Sequence, residues 1–278
     1  MSVRIVTDSC SDLPPDTALA CDIAVVPLYV NAGTETYRDG VDISADRFYE
    51  LLQTLPDLPT TSQPSAADFA EVYERLLDEG HEVVSVHISS SLSGTCNSAN
   101  QARDMSKDPS RIAVVDSLLA GGALGLLALE AASLAEGSDD HREVANQVEE
   151  RVERQTGYVM VDTLKYLAKG GRIGKAQAFM GGALQLKPIL SVRDGAIHPV
   201  ERARTRRKAV GRIESLARSL APISRLHVSY TTDPDDARAL RGALADLVAP
   251  ENIVESRFGP VIGTHLGPGA IGVAVTRE

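Results

Sequence analysis

Three cysteines in 278 residues, Cys10, Cys21 and Cys96, are too few to frame a fold and show no C-x-x-C spacing, which excludes a disulfide scaffold and a zinc site built on cysteine. No apolar run approaches the ~20 residues that a membrane-crossing helix needs. The opening residues MSVRIVTDS enter a strand pattern at once and leave no room for a signal peptide. The expectation is a cytoplasmic protein with no stable membrane insertion. Basic residues are in deficit, 28 Lys and Arg against 38 Asp and Glu, which argues against broad binding to nucleic acid while leaving room for a local basic patch. Catalytic signatures are missing too. The six histidines contain no H-E-x-x-H, and no two stand three or four residues apart. SLSGT lacks the flanking glycines of a nucleophile elbow, and GGRIGK is too short for a phosphate-cradling loop, so no metal and no cofactor is expected.

What the chain does hold is a hydrophobic content of 43%, enough for one large or two ordinary cores, laid out in alternating strand and helix patterns. VRIVTD and IAVVPLYV read as buried strands, followed by a polar hairpin-like excursion ending in the turn dipeptide Asp39-Gly40 and by a helix at about 44–55. Phe69, Val72, Tyr73, Leu76 and Leu77 share one helix face, started by Ser65 with Asp68 three residues on. Strands VVSVHI and IAVVDS follow, each leading into a helix, the second of them the alanine-rich run 118–136. This order predicts a mostly parallel sheet with covering helices.

The polar stretch EGSDDHREVANQVEERVER (136–154) predicts a loop and a surface helix, and places a boundary between an N-terminal α/β domain, 1–155, and a C-terminal α/β domain, 156–278. In the second domain a strand at 158–162 leads to a short helix closed by Gly170-Gly171 and a helix to Leu186. A hairpin then turns at Asp194-Gly195, and a basic helix (205–221), LHVSYT, a helix at 234–249, NIVESRF and AIGVAV complete a sheet of mixed direction.

Ligands in open α/β sheets gather beyond the carboxyl ends of the strands. Three such ends carry hydroxyls or carboxylates: Thr7-Asp8-Ser9, Ser89 to Thr95, and Thr231-Thr232-Asp233. Each alone is also what a helix cap or turn requires. SSSLSGT is the most informative, because a hydroxyl-rich turn between strand and helix presents side-chain donors and free helix amides to one point suited to an anion. His265 lies in GTHLGPGA, a glycine-rich turn before the last strand where backbone approaches a ligand closely, although a lone loop histidine is as readily structural.

TDSCSDL, TTSQPS at 60–65, SSSLSGT at 89–95, LKYLAKGGRI at 164–173, KPIL at 187–190 and GTHLGPGA at 263–270 together resemble the DegV family of fatty-acid-binding proteins, in order and spacing along the whole chain. The resemblance implies two α/β domains and a non-catalytic carrier of a buried long-chain fatty acid (about C14–C18), which it presents to a separate fatty-acid kinase for conversion to an acyl phosphate in phospholipid metabolism. It places the ligand carboxylate at Thr61, Ser62, Ser93, Gly94, Thr95 and His265. A buried carboxylate does need several donors to replace its water, and hydroxyls with helix amides supply them. Arg172 in KGGRI is the nearest motif cation, with an interdomain structural role as its alternative. Cys96, where an aromatic residue is usual, and the run DSLLAGGALG depart from the family pattern and bear on pocket shape. The basic run ERARTRRKA is expected to dock the kinase or lie near the phosphoryl donor, chiefly through Arg202 and Arg206, its alternative being a solvated face. A second functional class stays open: an enzyme or substrate-binding subunit for a small hydroxy or carbonyl compound, with His265 as the reactive group.

Overall fold

A computed structural model describes residues 2–180 and 186–278. The first half contains β1 (Val3–Asp8), α1 (Pro15–Ala20), β2 (Ile23–Val26), β3 (Tyr29–Ala32), β4 (Glu35–Arg38), α2 (Ala45–Thr54), β5 (Thr60–Ser62), α3 (Ala66–Asp78), β6 (Glu82–His87), α4 (Thr95–Met105), β7 (Ile112–Asp116), α5 (Gly122–Ala135) and α6 (His141–Arg151). The second half contains β8 (Gln155–Met160), α7 (Lys165–Lys169), β9 (Lys187–Arg193), β10 (Ala196–Ala203), α8 (Arg206–Arg218), β11 (Ile223–Tyr230), α9 (Pro234–Leu244), β12 (Ile253–Arg257), α10 (Pro260–Leu266) and β13 (Ile271–Arg277).

Strands β2-β1-β6-β7 form a fully parallel sheet, with Ile5 beside Ile23 on one side and Val84 on the other. A parallel sheet must be covered on both faces. Phe69, Tyr73 and Leu76 of α3 with Ala99 and Ala102 of α4 cover one face, against Val6 and Val83. Leu124 and Leu127 of α5 with Val144 and Val148 of α6 cover the other, against Ile5 and Val84. The second sheet, β10-β9-β8-β13-β11-β12, is antiparallel except for the pair β11 and β12. One of its faces buries Ala209 and Ile213 of α8 and Leu240 of α9. Its opposite face receives α5, which therefore lies between the two sheets, in contact with β1 as well as β8, β11 and β13. This explains why GALGLLALEAA is apolar all round rather than striped. The exchange is reciprocal, since the late helix α10 packs on α2 and on the small sheet β4-β3-β5 from the first half.

Several expectations are met and several are corrected. Ser65 and Asp68 form the expected capping box of α3, and Asp194 and Gly195, both at positive φ, close the β9–β10 hairpin. IAVVPLYV is two strands in two different sheets, because Pro27 interrupts the ladder and Leu28 N donates to Ser9 Oγ instead of a strand neighbour. The alanine-rich helix begins only at Gly122, since Leu118 and Gly121 take left-handed φ values of 55° and 63°. The helix expected after Gly171 is a tight 3₁₀ segment, Gly174–Phe179; the rest of that expectation, 181–185, lies outside the described residues. The helices expected at 205–221 and 234–249 end earlier, at Arg218 and Leu244. His265 is not in a turn but in α10, which Pro260 starts and Gly267 ends at a φ of 73°.

Candidate functional site

β5 is three residues long, yet its pairing with β3 (Val30 beside Thr61) sets Thr61 against α10. Thr61 Oγ1 lies 2.9 Å from His265 Nε2. The chain then passes Ser62 to Gln63, whose amide packs on Gly94 so closely that any side chain at Gly94 would collide with it. Next to that glycine, Ser93 Oγ is 2.8 Å from Thr95 Oγ1. Arg172 closes the ring from the second half, donating from Nε to Leu92 O at 3.2 Å and from Nη1 to Gly170 O at 2.8 Å. Four segments distant in sequence thus bring hydroxyl, amide, imidazole and guanidinium groups together. Ser62, Gln63 and Arg172 are exposed, so this cluster is a rim.

Behind the rim opens a cavity of about 470 Å³, within the ~300–1,000 Å³ usual for small-molecule sites. Thr61, Ser62, Gln63, Ser93, Arg172 and His265 line its polar end. The remaining wall is almost wholly apolar, with Leu28, Ile88 and Leu119 from the first half, Val261 and Leu266 from α10, and Val192, Ile197 and Phe258 from the second sheet and its connections. Small residues of the two halves face each other across it: Ala120, Gly121, Gly122 and Ala123 at the start of α5, and Gly157, Gly272 and Ala274 on β8 and β13. Glycine in a central strand weakens the strand but opens room beside the sheet. A cavity with one polar end and a long apolar body suits an amphipathic ligand.

The electrostatics favour neutral donors at the rim. Burial, and secondarily the Arg172 charge, pushes the His265 imidazole down to about 4, so near neutral pH it is uncharged and carries one N–H. Its Nδ1 is buried against Gly170, without a hydrogen-bond partner among the described residues. Burial, reinforced by Asp8, Asp39 and Asp12, drives the Cys10 thiol well above its ordinary value. In the cavity wall it acts as a small apolar group.

Not every expected residue reaches the cavity. Thr61, Ser62, Ser93 and His265 line it; Gly94 and Thr95 do not. Thr95 is fully buried at the start of α4 and holds Ser93 from behind. The strand ends at Thr7-Asp8-Ser9 and Thr231-Thr232 are spent on structure. Asp8 accepts from Cys10 N and Ile88 N and meets His87 Nδ1 at 3.0 Å, while Thr231 and Thr232 accept from Ala270 N and Gly269 N. Arg206 is likewise drawn inward. It is paired with Asp236 and Asp233, lies 3.5 Å from Asp162, and donates to Gly269 O, so it clamps the turn that follows α10 rather than standing free for a partner. Arg202 is exposed, its guanidinium 4.3 Å over the Phe179 ring. Gln63 was missed by sequence reasoning, and only its place inside TTSQPS could have signalled it. Glu82, Asp140 and His141 bring ligand-type atoms within 4.8 Å of one another. They are engaged in starting α6, with Asp140 accepting from Arg142 N and His141 bound to Glu82.

The sequence matches, over residues 2–278, the family described as uncharacterised proteins of the DegV family. It is 40% identical to a DegV domain-containing protein of Streptomyces coelicolor, over 99% of this chain and 98% of that one. Among solved structures it resembles a fatty-acid-binding DegV family protein of Thermus thermophilus (TM-score 0.92, 37% identity, full coverage of both chains). It also resembles a stearic-acid-binding protein of Eubacterium ventriosum (TM-score 0.89, 28% identity, 99% and 98% coverage).

Proposed function

This chain belongs to the DegV family, and from that premise we propose that it is a non-catalytic carrier of a long-chain fatty acid, whose two units, divided at 155/156, hold the acyl chain between them. The observation that carries the reading is the shape of the cavity, polar at the rim and apolar along most of its length. Its extent fits the ligand. The wall runs from Val192 and Ile197 on β9 and β10, across β8 and β13, to Ser229 on β11. From β10 to β11 is four interstrand steps, or about 19 Å at ~4.8 Å each. An extended acyl chain built from bonds of ~1.5 Å advances about 1.25 Å per carbon, so a tail of about fifteen carbons reaches from end to end. A small hydroxy or carbonyl substrate would leave most of that wall empty, which weighs against His265 as a reactive group.

At the rim, Ser62, Ser93 and the Thr61–His265 pair supply donors to the carboxylate, with Arg172 as the cation that lines the cavity among the described residues. Thr95 contributes by orienting Ser93, and Gly94 by admitting the Gln63 amide. The carboxylate is left near the surface, where a separate kinase can phosphorylate it. Charge supports such a partner: residues 165–208 hold eleven Lys and Arg against two acids in a chain of net charge −10. Within that stretch Arg202 is exposed, five residues along β10 from the cavity residue Ile197. That is about 17 Å in a strand, too far for Arg202 to touch the carboxylate and suited to docking an acidic surface. Native mass spectrometry of the purified protein tests the reading. The expected result is a retained mass of a C14–C18 acid, whereas a clean apo mass that forms an adduct with short ketones overturns it.

A further inference from the structure

The far end of this apolar cavity is not apolar. Ser229 on β11 lines it, 3% exposed, one strand beyond the glycine and alanine floor. Its hydroxyl belongs to a buried chain of three side chains. Ser229 Oγ is 3.3 Å from Ser256 Oγ, its cross-strand partner on β12, and Ser256 Oγ is 2.7 Å from His227 Nε2. His227 is fully buried, and its Nδ1 is set against the Gly122 backbone, without a well-formed hydrogen bond among the described residues. Burial holds its imidazole down at about 4, so it is neutral with a single N–H.

Counting donors shows what the chain leaves unspent. If His227 carries its proton on Nε2, it donates to Ser256, Ser256 donates to Ser229, and the Ser229 hydrogen has no acceptor. If the proton is on Nδ1, Ser229 donates to Ser256 and Ser256 to His227, leaving the Ser229 oxygen without a donor. In both arrangements Ser229 keeps one hydrogen-bonding position with no partner among the described residues, on the wall of the cavity. A plain methyl terminus lying there would desolvate that hydroxyl and give nothing back. We infer that the β11 end of the cavity is a polar subsite, formed by Ser229 with Ser256 and His227 behind it, that accepts an acyl chain bearing a hydroxyl at or near its distal end. This rests on the carrier reading and adds the class of acid the site selects.

The probes are hexadecanoate, 16-hydroxyhexadecanoate and 2-hydroxyhexadecanoate, titrated into delipidated protein. Wild type should bind 16-hydroxyhexadecanoate within about threefold of hexadecanoate or more tightly, because the distal hydroxyl finds Ser229. Ser229→Ala should then weaken the 16-hydroxy acid about tenfold while leaving hexadecanoate and the 2-hydroxy acid within about twofold. A wild-type protein that binds 16-hydroxyhexadecanoate ten times or more weakly than hexadecanoate overturns the inference and needs no variant to do so. Equal losses for all three acids in Ser229→Ala overturn it as well, reducing Ser229 to a structural residue. If none of the three binds, the carrier reading itself has failed, and the subsite with it; good binding of hexadecanoate alone removes only the subsite.

Discussion

Gly157 offers the sharpest test of where the acyl chain lies. It sits on β8, midway across the strands that the cavity spans. A Cβ placed there would be 3.5 Å from Ala123 Cβ and 3.9 Å from Ala274 Cβ, so alanine fits in ordinary contact. Leucine would extend past that contact into the cavity. From β8 to β11 is two interstrand steps, about 9.6 Å, or some seven to eight carbons at about 1.25 Å each. At ~0.8 kcal/mol per buried methylene, expelling that part of a sixteen-carbon chain costs up to about 6 kcal/mol. Partial rerouting lowers the figure, and Gly157→Leu should still weaken hexadecanoate at least a hundredfold, close to 2.7 kcal/mol. Octanoate, which ends before the obstruction, should bind the variant within about threefold of wild type. Isothermal titration with the even-numbered acids from eight to eighteen carbons reads both numbers, with the melting temperature as a control for folding. In wild type the affinity should climb steadily with length. If octanoate and hexadecanoate lose affinity equally, or if wild type binds them equally, the tail does not follow the glycine floor and the reasoning is wrong.

Other consequences can be checked alongside. Ser93→Ala and His265→Ala each remove a rim donor, and at about 1.5–3 kcal/mol for a hydrogen bond to a charged group the dissociation constant should rise about tenfold to a hundredfold; unchanged affinity at unchanged melting temperature would take these residues out of the site. Arg202→Glu should leave fatty-acid affinity near wild type while acyl-phosphate formation with a cognate kinase falls at least tenfold, and full turnover would mark Arg202 as solvated surface. Arg206→Gln should instead lower the melting temperature, because Asp162, Asp233 and Asp236 lose their shared cation, and a fully stable variant would refute the clamp. Burial raises the Asp39 carboxyl to about 7, so the folded state holds a proton that the unfolded state has already lost above about pH 4, and stability falls as pH rises toward 7. Asp39→Asn should remove that slope, with a ceiling near 4 kcal/mol of relative gain at pH 8, and parallel pH–stability curves for the two proteins would contradict it.

Much of this architecture is legible in the sequence because local chemistry and tertiary packing agree. Ser65 with Asp68 caps the helix whose apolar stripe they precede, and Asp194-Gly195 supplies two positive φ angles where a hairpin needs them. Expectations failed where distant partners decided the outcome. His265 looked like a loop residue because seven residues are too short a stretch to announce a helix, and the packing of α10 on α2 is what makes one. Arg206 looked like its neighbours in a basic run, since nothing local reveals that Asp162, Asp233 and Asp236 converge on it from two other segments. Gly157 and Gly272, 115 residues apart in order but on adjacent strands, carry no signal as a pair until the sheet is assembled.

The exposed rim sits on a firm, buried base. Asp8 receives Cys10 N, Ile88 N and the His87 imidazole, and His87 Nε2 meets Ser85 Oγ at 2.6 Å, which in turn accepts from the Tyr73 hydroxyl at 2.7 Å. The order Asp, His, Ser invites comparison with a hydrolytic triad, yet all three side chains are fully buried, with Phe69 packed edge-on against the imidazole. A nucleophile there would never meet a substrate. What the network does is fix the ends of β1 and β6, where Cys10 and Ile88 enter the cavity wall, so that the Ser89–Thr95 turn leaves from a rigid origin. The opposite side of the rim is fixed by Arg206 through the turn after α10. Neutral hydroxyls and a neutral imidazole bind a carboxylate less tightly than a buried ion pair would, so placement must supply what charge does not. The carrier proposed above would gain from that arrangement, since most of its affinity would then reside in the apolar body of the ligand and the carboxylate would stay available at the surface.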